Sequence, residues 1–299
     1  DSRRIARTTE QVGLLATNRY YTPANQVLTP AGVQVPLPGL RPQALALSPD
    51  GRLLVTSGKT AELIVIDPAS GALRQRVALP SEADEDPAPD EVSDHILAPD
   101  KSGQLSFTGL VFSPDGSRLY LANVNGSIKV FGVTPEHKVV GLFRLRLPQT
   151  KAWNRIEDIP SGLAVSPDGQ RLYVVLNLSN RLLELDAATG KVRQFWDVGV
   201  APFDVVLAGG KAYVSNWGGR RPDTHSVTGP AGRGKLVRVD PVRFIANEGS
   251  VSVIDLATHS TRDEIPVGLH PSALALSPDG RHLVVANAEN VASGMGLTE

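Results

Sequence analysis

The stretch ALALSPDGRLLVTS, residues 44–57, decides the fold of this chain because it describes one complete β-hairpin. Two β-rich runs flank the tetrapeptide Ser-Pro-Asp-Gly. In that tetrapeptide proline fixes φ at the second position of a turn, aspartate suits the third, and glycine accepts a positive φ at the fourth. The stretch therefore predicts two antiparallel strands joined by a tight turn.

The same hairpin recurs along the chain. Ser-Pro-Asp-Gly occurs four times, each time between a small apolar run and a β-rich run, and the copies begin at Ser48, Ser113, Ser166 and Ser277. A fifth, degenerate copy uses Gly209-Gly210 for its turn. Self-similarity of this kind is the sequence signature of a repeat architecture.

A second hairpin follows the first in the repeated unit. Its strand pairs are 62–67 with 73–77, 181–186 with 192–195, and 250–255 with 261–265. Four antiparallel strands in a unit of roughly 40 residues are typical of a propeller blade. A solenoid is the competing architecture, and it is disfavoured because the unit has no flat stacking face. The sequence predicts an all-β fold, a β-propeller of four-stranded antiparallel blades.

Five blades are visible, but the last is short of strands. First strands are expected to begin near Pro42, Phe107, Pro160, Pro202 and His270. The N-terminal runs 25–29 and 33–39 resemble an outer hairpin without an inner one. Two closures stay open: the termini share the fifth blade, or further blades lie beyond Glu299. We divide the chain into an N-terminal extension, residues 1–24, and a propeller, residues 25–299. If further blades lie beyond Glu299, the propeller is incomplete at its C-terminus.

Composition excludes several classes of partner and site. The formal net charge is −1, and without a basic excess neither nucleic acid nor an anionic membrane is attracted. No apolar run approaches the roughly 18 residues of a membrane span. Cysteine is absent, which excludes disulfides, thiolate metal sites and a cysteine nucleophile.

The sequence indicates neither a metal site nor a catalytic centre. None of the six histidines forms a His-x-His or His-x-x-x-His pair. The acidic stretch 82–91 lacks calcium-loop spacing and contains two prolines, so a solvated loop is favoured. No Ser-His-Asp order or paired-carboxylate spacing is apparent, so we assign no catalytic, cofactor-binding or metal-ligating residue.

A basic excursion of 32 residues, 217–248, interrupts the fourth blade between its two hairpins. Trp217 stands at its root, followed by Arg220, Arg221 and Arg233. Arginines beside an aromatic residue suit an anion or a protein surface. The competing interpretation is a mobile or self-packed insertion.

Two further positions are candidates for ligand or partner contact. Trp153 and Arg155 precede the inner strand of the third blade and could line the mouth of the propeller. A tryptophan packed over a blade edge is the alternative. His270 begins the inner strand of the fifth blade and could face the central funnel, whereas a hydrogen-bonded residue at the start of a strand is the simpler interpretation.

The repeats resemble those of a known family. The pattern Leu-Ala-Val-Ser-Pro-Asp-Gly-x-x-Leu-Tyr-Val, read at 163–174, is similar to the YVTN (YncE-like) seven-bladed propellers of bacteria and archaea. The stretches 25–32, 102–110 and 215–222 resemble the N-terminal propeller of secreted bacterial proteins that continue into an alkaline-phosphatase-like phosphoesterase domain. The resemblance implies seven blades and a periplasmic or extracellular location. It supplies no catalytic residue, because the family's metal and nucleophile residues belong to the phosphoesterase domain.

The sequence thus favours a non-catalytic secreted propeller, a scaffold or binding module accessory to a phosphoesterase domain. Its expected partners are another protein or a second copy of itself. One alternative is a self-assembling extracellular or filament subunit. The other is an enzyme with its site in the central funnel, such as a lactonase or a quinoprotein-like dehydrogenase.

Overall fold

The computed structural model describes residues 11–16, 18–24, 26–82 and 99–289, and over these residues the chain consists of β-strands, turns and loops. No helix occurs among them, so this part of the chain offers no helical segment capable of crossing a membrane. The predicted all-β propeller fold is confirmed.

The strands are numbered in chain order. A small N-terminal sheet contains β1 (Gly13–Ala16), β2 (Arg19–Tyr21) and β3 (Val27–Leu28). The first blade-type sheet contains β4 (Pro42–Leu47), β5 (Leu54–Gly58), β6 (Glu62–Ile66) and β7 (Leu73–Ala78). The second contains β8 (Leu105–Phe112), β9 (Arg118–Asn123), β10 (Ser127–Val133) and β11 (Val139–Arg146). The third contains β12 (Pro160–Val165), β13 (Arg171–Leu176), β14 (Arg181–Asp186) and β15 (Val192–Asp197).

The fourth and fifth sheets differ from this pattern. The fourth contains β16 (Pro202–Ala208), β17 (Lys211–Asn216), β20 (Gly249–Asp255) and β21 (Ser260–Val267). Between β17 and β20 the chain forms a separate two-stranded sheet of β18 (Thr228–Gly232) and β19 (Lys235–Arg238). Because β17 pairs directly with β20, the excursion is an insertion within one blade, as predicted. The fifth sheet contains β22 (Leu269–Leu276) and β23 (Leu283–Glu289).

The Ser-Pro-Asp-Gly turns form as predicted. Gly51 has φ of 71°, and its amide donates to the Ser48 carbonyl at 2.8 Å. The serine side chain has a role that the turn pattern did not predict. Ser48 Oγ accepts from the Leu53 amide at 2.9 Å and donates to Asp50 Oδ1 at 2.5 Å. The same pair of contacts recurs at the other copies, which begin at Ser113, Ser166 and Ser277.

Successive side chains of a strand point to opposite faces of its sheet, and the apolar side chains on these faces pack neighbouring sheets against each other. On β8, Leu110 and Phe112 face the first sheet and pack with Val55 and Val65. Each side chain of this size stabilises the fold by about 1.5–3 kcal/mol when fully buried. Equivalent apolar layers separate the second sheet from the third and the third from the fourth.

The innermost strands meet at a common hub. Phe107 and Phe203 contact edge to face with 4.9 Å between ring centroids. Asp204 accepts from Thr108 Oγ1 at 3.1 Å and from the Leu274 amide at 2.9 Å, so one carboxylate links the second, fourth and fifth sheets. Burial raises the pKa of Asp204, and the hydrogen bonds that it accepts oppose the rise.

The N-terminal segment does not form the expected outer hairpin of the fifth sheet. Within the described residues, β3 pairs with β2, and 33–39 forms no strand. Val35, Leu37 and Leu40 instead pack on Ile64 and Ile66, on the face of the first sheet that points away from the second. Burying this apolar face of the first sheet competes with strand pairing by residues 33–39. The local β pattern could not predict this tertiary contact.

Candidate partner-binding surface

The insertion, residues 217–248, begins with a Trp-Gly-Gly sequence that is built into the propeller. Trp217 stacks on His270 with 3.9 Å between ring centroids. His270 lies on β22, so the stack joins the root of the insertion to the fifth sheet. Gly219 has φ of 70°, and a Cβ there would lie 2.6 Å from the Glu248 Cβ, so this position requires glycine. The structure therefore places Trp217 and His270 together as a packed contact between sheets.

The first two arginines of the insertion hold it in place. Arg220 forms two hydrogen bonds with the Glu248 carboxylate, at 2.7 and 3.0 Å, which close the base of the insertion. Arg221 donates to the backbone carbonyls of Val198 at 2.7 Å and Asn180 at 2.5 Å. The hydrogen bonds that Arg220 donates to the Glu248 carboxylate raise the pKa of Arg220. Arg220 therefore binds the last residue of the insertion, Arg221 binds the third blade, and the insertion is self-packed.

Arg233 lies at the turn between β18 and β19 and meets the loop that carries Trp153. The Trp153 amide donates to the Arg233 carbonyl at 3.3 Å. Gly234, the next residue of the turn, lies close to the Trp153 side chain, since a Cβ added there would be 3.6 Å from the Trp153 Cβ. Two candidates 80 positions apart in the sequence thus come together.

The loop 150–158 is ordered by its own hydrogen bonds. The Thr150 amide donates to the Ile156 carbonyl at 2.8 Å, and an isolated bridge pairs Gln149 with Glu157. Arg155 donates from Nε to the Glu157 carbonyl at 2.8 Å and from Nη2 to the Val124 carbonyl. These hydrogen bonds therefore fix the conformation of the loop between β11 and β12.

A depression of 870 Å³ lies between this loop and the insertion, and it is lined by Arg155, Ile156 and Arg233 among others. The pKa of Arg155 is lowered, first by burial and then by the positive charge of Arg233. Two neighbouring positive charges favour an incoming anion, and the carboxylates of Glu157 and Asp158 offset part of this positive charge. We call Trp153, Arg155, Ile156 and Arg233 together the Trp153 surface.

The apolar members of the Trp153 surface are exposed to solvent. Trp153 is 71% exposed and Ile156 is 60% exposed. Large side chains held in the open on an ordered loop mark interaction sites more often than scattered single residues do. Ile156 was not among the predicted contact residues, although it lies in the same loop.

A second exposed group lies at the other end of β19, in the turn 240–245. Asp240 Oδ1 accepts from the amides of Val242 at 2.9 Å and Arg243 at 2.7 Å. This turn leaves Val242 and Phe244 largely exposed. The sequence signal that could have found it is Asp240-Pro241 followed by apolar residues, a turn that presents them outward.

The acidic stretch predicted as a solvated loop has only its first residue within the described part of the chain. Glu82 does not stand free in solvent, because its carboxylate contacts Lys129 Nζ at 2.5 Å and Arg144 Nη1 at 2.9 Å. Residues 83–91 lie outside the described residues. Over the described ranges, no group of three or more metal-ligating side chains is assembled.

Comparisons with known proteins identify the fold and no family. No family model matches the chain, and no curated protein matches it. The solved structures that are similar include the hydrazine synthase of Kuenenia stuttgartiensis, with 18% identity and a TM-score of 0.54, and U3-55K, with 13% identity and a TM-score of 0.57. Both are β-propeller proteins. Each match covers 85% of this chain but only 58% and 60% of the other, so this chain spans about three fifths of their length.

Proposed function

We propose that this chain is a non-catalytic binding propeller whose partner docks on the Trp153 surface. The observation that supports this proposal is the junction of Trp153 with Arg233. The loop that carries the largely exposed Trp153 contacts the Arg233-Gly234 turn of the insertion, and Arg155 and Arg233 line one depression next to this contact. Tryptophan and arginine are the residues most enriched among those that dominate protein interfaces.

The chemistry of the surface specifies the partner. Arg155 and Arg233 repel one another, so a carboxylate placed between them is stabilised. Trp153 and Ile156 offer apolar area next to these charges. An acidic segment with one or more large apolar side chains matches both features. We therefore expect the partner to bind this surface through a segment that carries both acidic and apolar side chains.

The cellular setting forms part of the same proposal and rests on the family resemblance alone. A secreted location, periplasmic or extracellular, and service to a phosphoesterase domain both follow from that resemblance. A gene whose reading frame continues past Glu299 into such a domain would support this part. A reading frame that encodes no phosphoesterase domain would remove it and leave the binding role intact.

An unbiased peptide selection tests the partner chemistry. We expect displayed peptides enriched on the wild-type chain to combine acidic residues with a tryptophan, phenylalanine or leucine. The variant Trp153→Ser/Arg233→Ser should enrich none of them. The matched control Phe244→Ser/Arg243→Ser removes the same kinds of side chain from the opposite end of β19 and should select the same peptides as the wild type. Enrichment that the first variant leaves unchanged would contradict the proposal.

Self-association is a second candidate function, which the two ends of the row of sheets favour. Leu45 on β4 occupies the position of Leu110, Leu163 and Leu274 in the other Ser-Pro-Asp-Gly blades. Leu45 is 65% exposed, whereas its equivalents are at most 8% exposed. On the last sheet, Val284 is 60% exposed, and its equivalents Val55, Tyr120 and Tyr173 are buried against a following sheet.

Between adjacent blades of this chain, a face of the Leu45 type packs against a face of the Val284 type. The face of one copy that carries Leu45 complements the face of another that carries Val284, which is a head-to-tail contact. Sedimentation velocity should show concentration-dependent association that Leu45→Glu abolishes. A wild-type chain that stays monomeric at all concentrations would remove this candidate without affecting the first.

A further inference from the structure

The third sheet departs from the repeat at one buried position. Glu184 lies on β14 opposite Tyr173 of β13. The equivalent positions in the first, second and fourth sheets are all valine, namely Val65, Val130 and Val253. The sequence itself shows the exception, since LELD at 183–186 stands where IVID and SVID stand at 64–67 and 252–255. A local rule broken at one copy of a repeat points to a functional position.

Glu184 is buried without full compensation. It is 5% exposed, and no described residue donates a hydrogen bond to its Oε2. The nearest cation is Arg171, whose Nε lies 3.7 Å from Oε1. A carboxylate removed from water costs folding free energy unless charges and donors replace the lost hydration. The site therefore lacks a donor at one oxygen of a buried acid.

A cleft of 880 Å³ between the third and fourth sheets reaches Glu184. A smaller cavity of 450 Å³ shares Arg171, Leu256 and Ala257 with it, so the two are contiguous. We call the larger one the Glu184 cleft. Its size suits a small molecule or the end of a longer one.

The charges of the Glu184 cleft are mixed. Arg193 is committed to Asp186, since the two groups lie 2.6 Å apart, and this hydrogen bond lowers the pKa of Asp186 to about 2. Arg171 and Lys191 line the same cleft and are partly or fully exposed. The cleft thus offers an acceptor at Glu184 and two cations at its walls. A simple amine would meet a cationic surplus, and a simple anion would leave the Oε2 atom of Glu184 without a donor.

We propose that the Glu184 cleft binds a small zwitterion that carries an ammonium and a carboxylate group. The ammonium donates to Glu184, and the carboxylate accepts from Arg171 and Lys191. Free amino acids and the ends of short peptides share this chemistry. The site lies between the outer strands of two sheets and involves no residue of the Trp153 surface, so it adds an activity to the proposed binding role.

Isothermal titration with glycine, β-alanine and γ-aminobutyrate, whose charged groups lie at increasing separations, tests this proposal. Ethylamine and propionate, which carry one charged group each, are the ligand controls. We expect at least one zwitterion to bind about tenfold or more tightly than either control, because one charge-assisted hydrogen bond accounts for such a factor. A wild-type chain that binds no zwitterion more tightly than ethylamine and propionate would overturn the proposal.

The repeat supplies a matched variant. Glu184→Val installs the residue of the other three sheets, so it should fold, melt at a higher temperature and lose zwitterion binding by about tenfold or more. Glu264→Gln is the control, because Glu264 is a half-buried acid outside the cleft, and its binding should equal that of the wild type. If Glu184→Val does not fold, Glu184→Gln, which keeps the side-chain size, decides the matter. Unchanged binding by the folded variant would contradict the assignment.

Discussion

Lys129 provides the sharpest test of how the first two sheets are held together. Its side chain is completely buried, and Nζ contacts Glu82 at 2.5 Å, Asp100 at 3.0 Å and the Pro80 carbonyl at 2.7 Å. Pro80 and Glu82 precede the connection between the first and second sheets, and Asp100 follows it. One ammonium group therefore ties together both ends of that connection.

The variant Lys129→Met keeps most of the side-chain volume and removes the charge. Asp100 is almost fully buried and would lose its cation, whereas Glu82 is about one third exposed and keeps Arg144. Removing one partner of a buried ion pair costs about 3–5 kcal/mol. For a domain of this size, that loss lowers the melting temperature by about 10 °C.

Urea denaturation followed by tryptophan fluorescence measures this loss. The exposed Lys101→Met is the matched control and should change the free energy of unfolding by less than about 0.5 kcal/mol. The double variant Lys129→Met/Asp100→Leu replaces both charges by apolar groups and should recover much of the lost stability. A Lys129→Met protein as stable as the Lys101→Met control would refute the reasoning.

The effect of Lys129→Met also depends on pH. Burial tends to raise the pKa of Asp100, but hydrogen bonding and charge from Lys129 outweigh it, so the pKa is lowered overall. The resulting stability is present above the unfolded pKa of about 4 and is lost as pH falls through the lower folded value. In the variant the contribution of Lys129 is lost, and only the hydrogen bonds from Ser102 still oppose the effect of burial on the pKa of Asp100. The difference in unfolding free energy between wild type and variant should therefore be largest near neutral pH and shrink in acid.

Three further predictions concern the turn, the hub and the base of the insertion. Ser113→Ala removes an acceptor for the turn amide, and urea denaturation should show a loss of about 1–2 kcal/mol; an unchanged midpoint would contradict the role given to that hydroxyl. Because burial raises the pKa of Asp204, the wild type should lose stability as pH rises from about 4 through that pKa, and Asp204→Asn should flatten this slope. Arg220→Ala breaks the partly exposed pair with Glu248, so it should cost at most about 1 kcal/mol globally yet speed proteolysis within the insertion; equal cleavage rates would show that the pair does not hold it.

The fold was predictable because its determinants are local. Each Ser-Pro-Asp-Gly turn is closed by its own proline, aspartate and glycine, so four residues suffice to place two strands. The alternation of apolar residues then indicates which face each strand buries. Neither step requires knowledge of distant parts of the chain.

The candidate site was less predictable because its contacts join distant residues. Partner contact by Arg220 and Arg221 stays a prediction, and their acceptors within the molecule, Glu248 and Val198, lie more than 20 positions away in the sequence. Residues 33–40 likewise cover the first sheet through a tertiary contact with Ile64 and Ile66, which a local pattern does not show. Glu184 differs, because its exception to the valine pattern is visible in the sequence once the repeats are aligned.

The most direct test of the binding role compares the affinities of one acidic, apolar peptide for three proteins. Trp153→Ser/Arg233→Ser should weaken binding about 30-fold, since side chains that dominate an interface contribute about 2 kcal/mol or more. Phe244→Ser/Arg243→Ser should bind as the wild type does. If the two variants bind equally well, or if only the second loses affinity, the partner does not dock on the Trp153 surface.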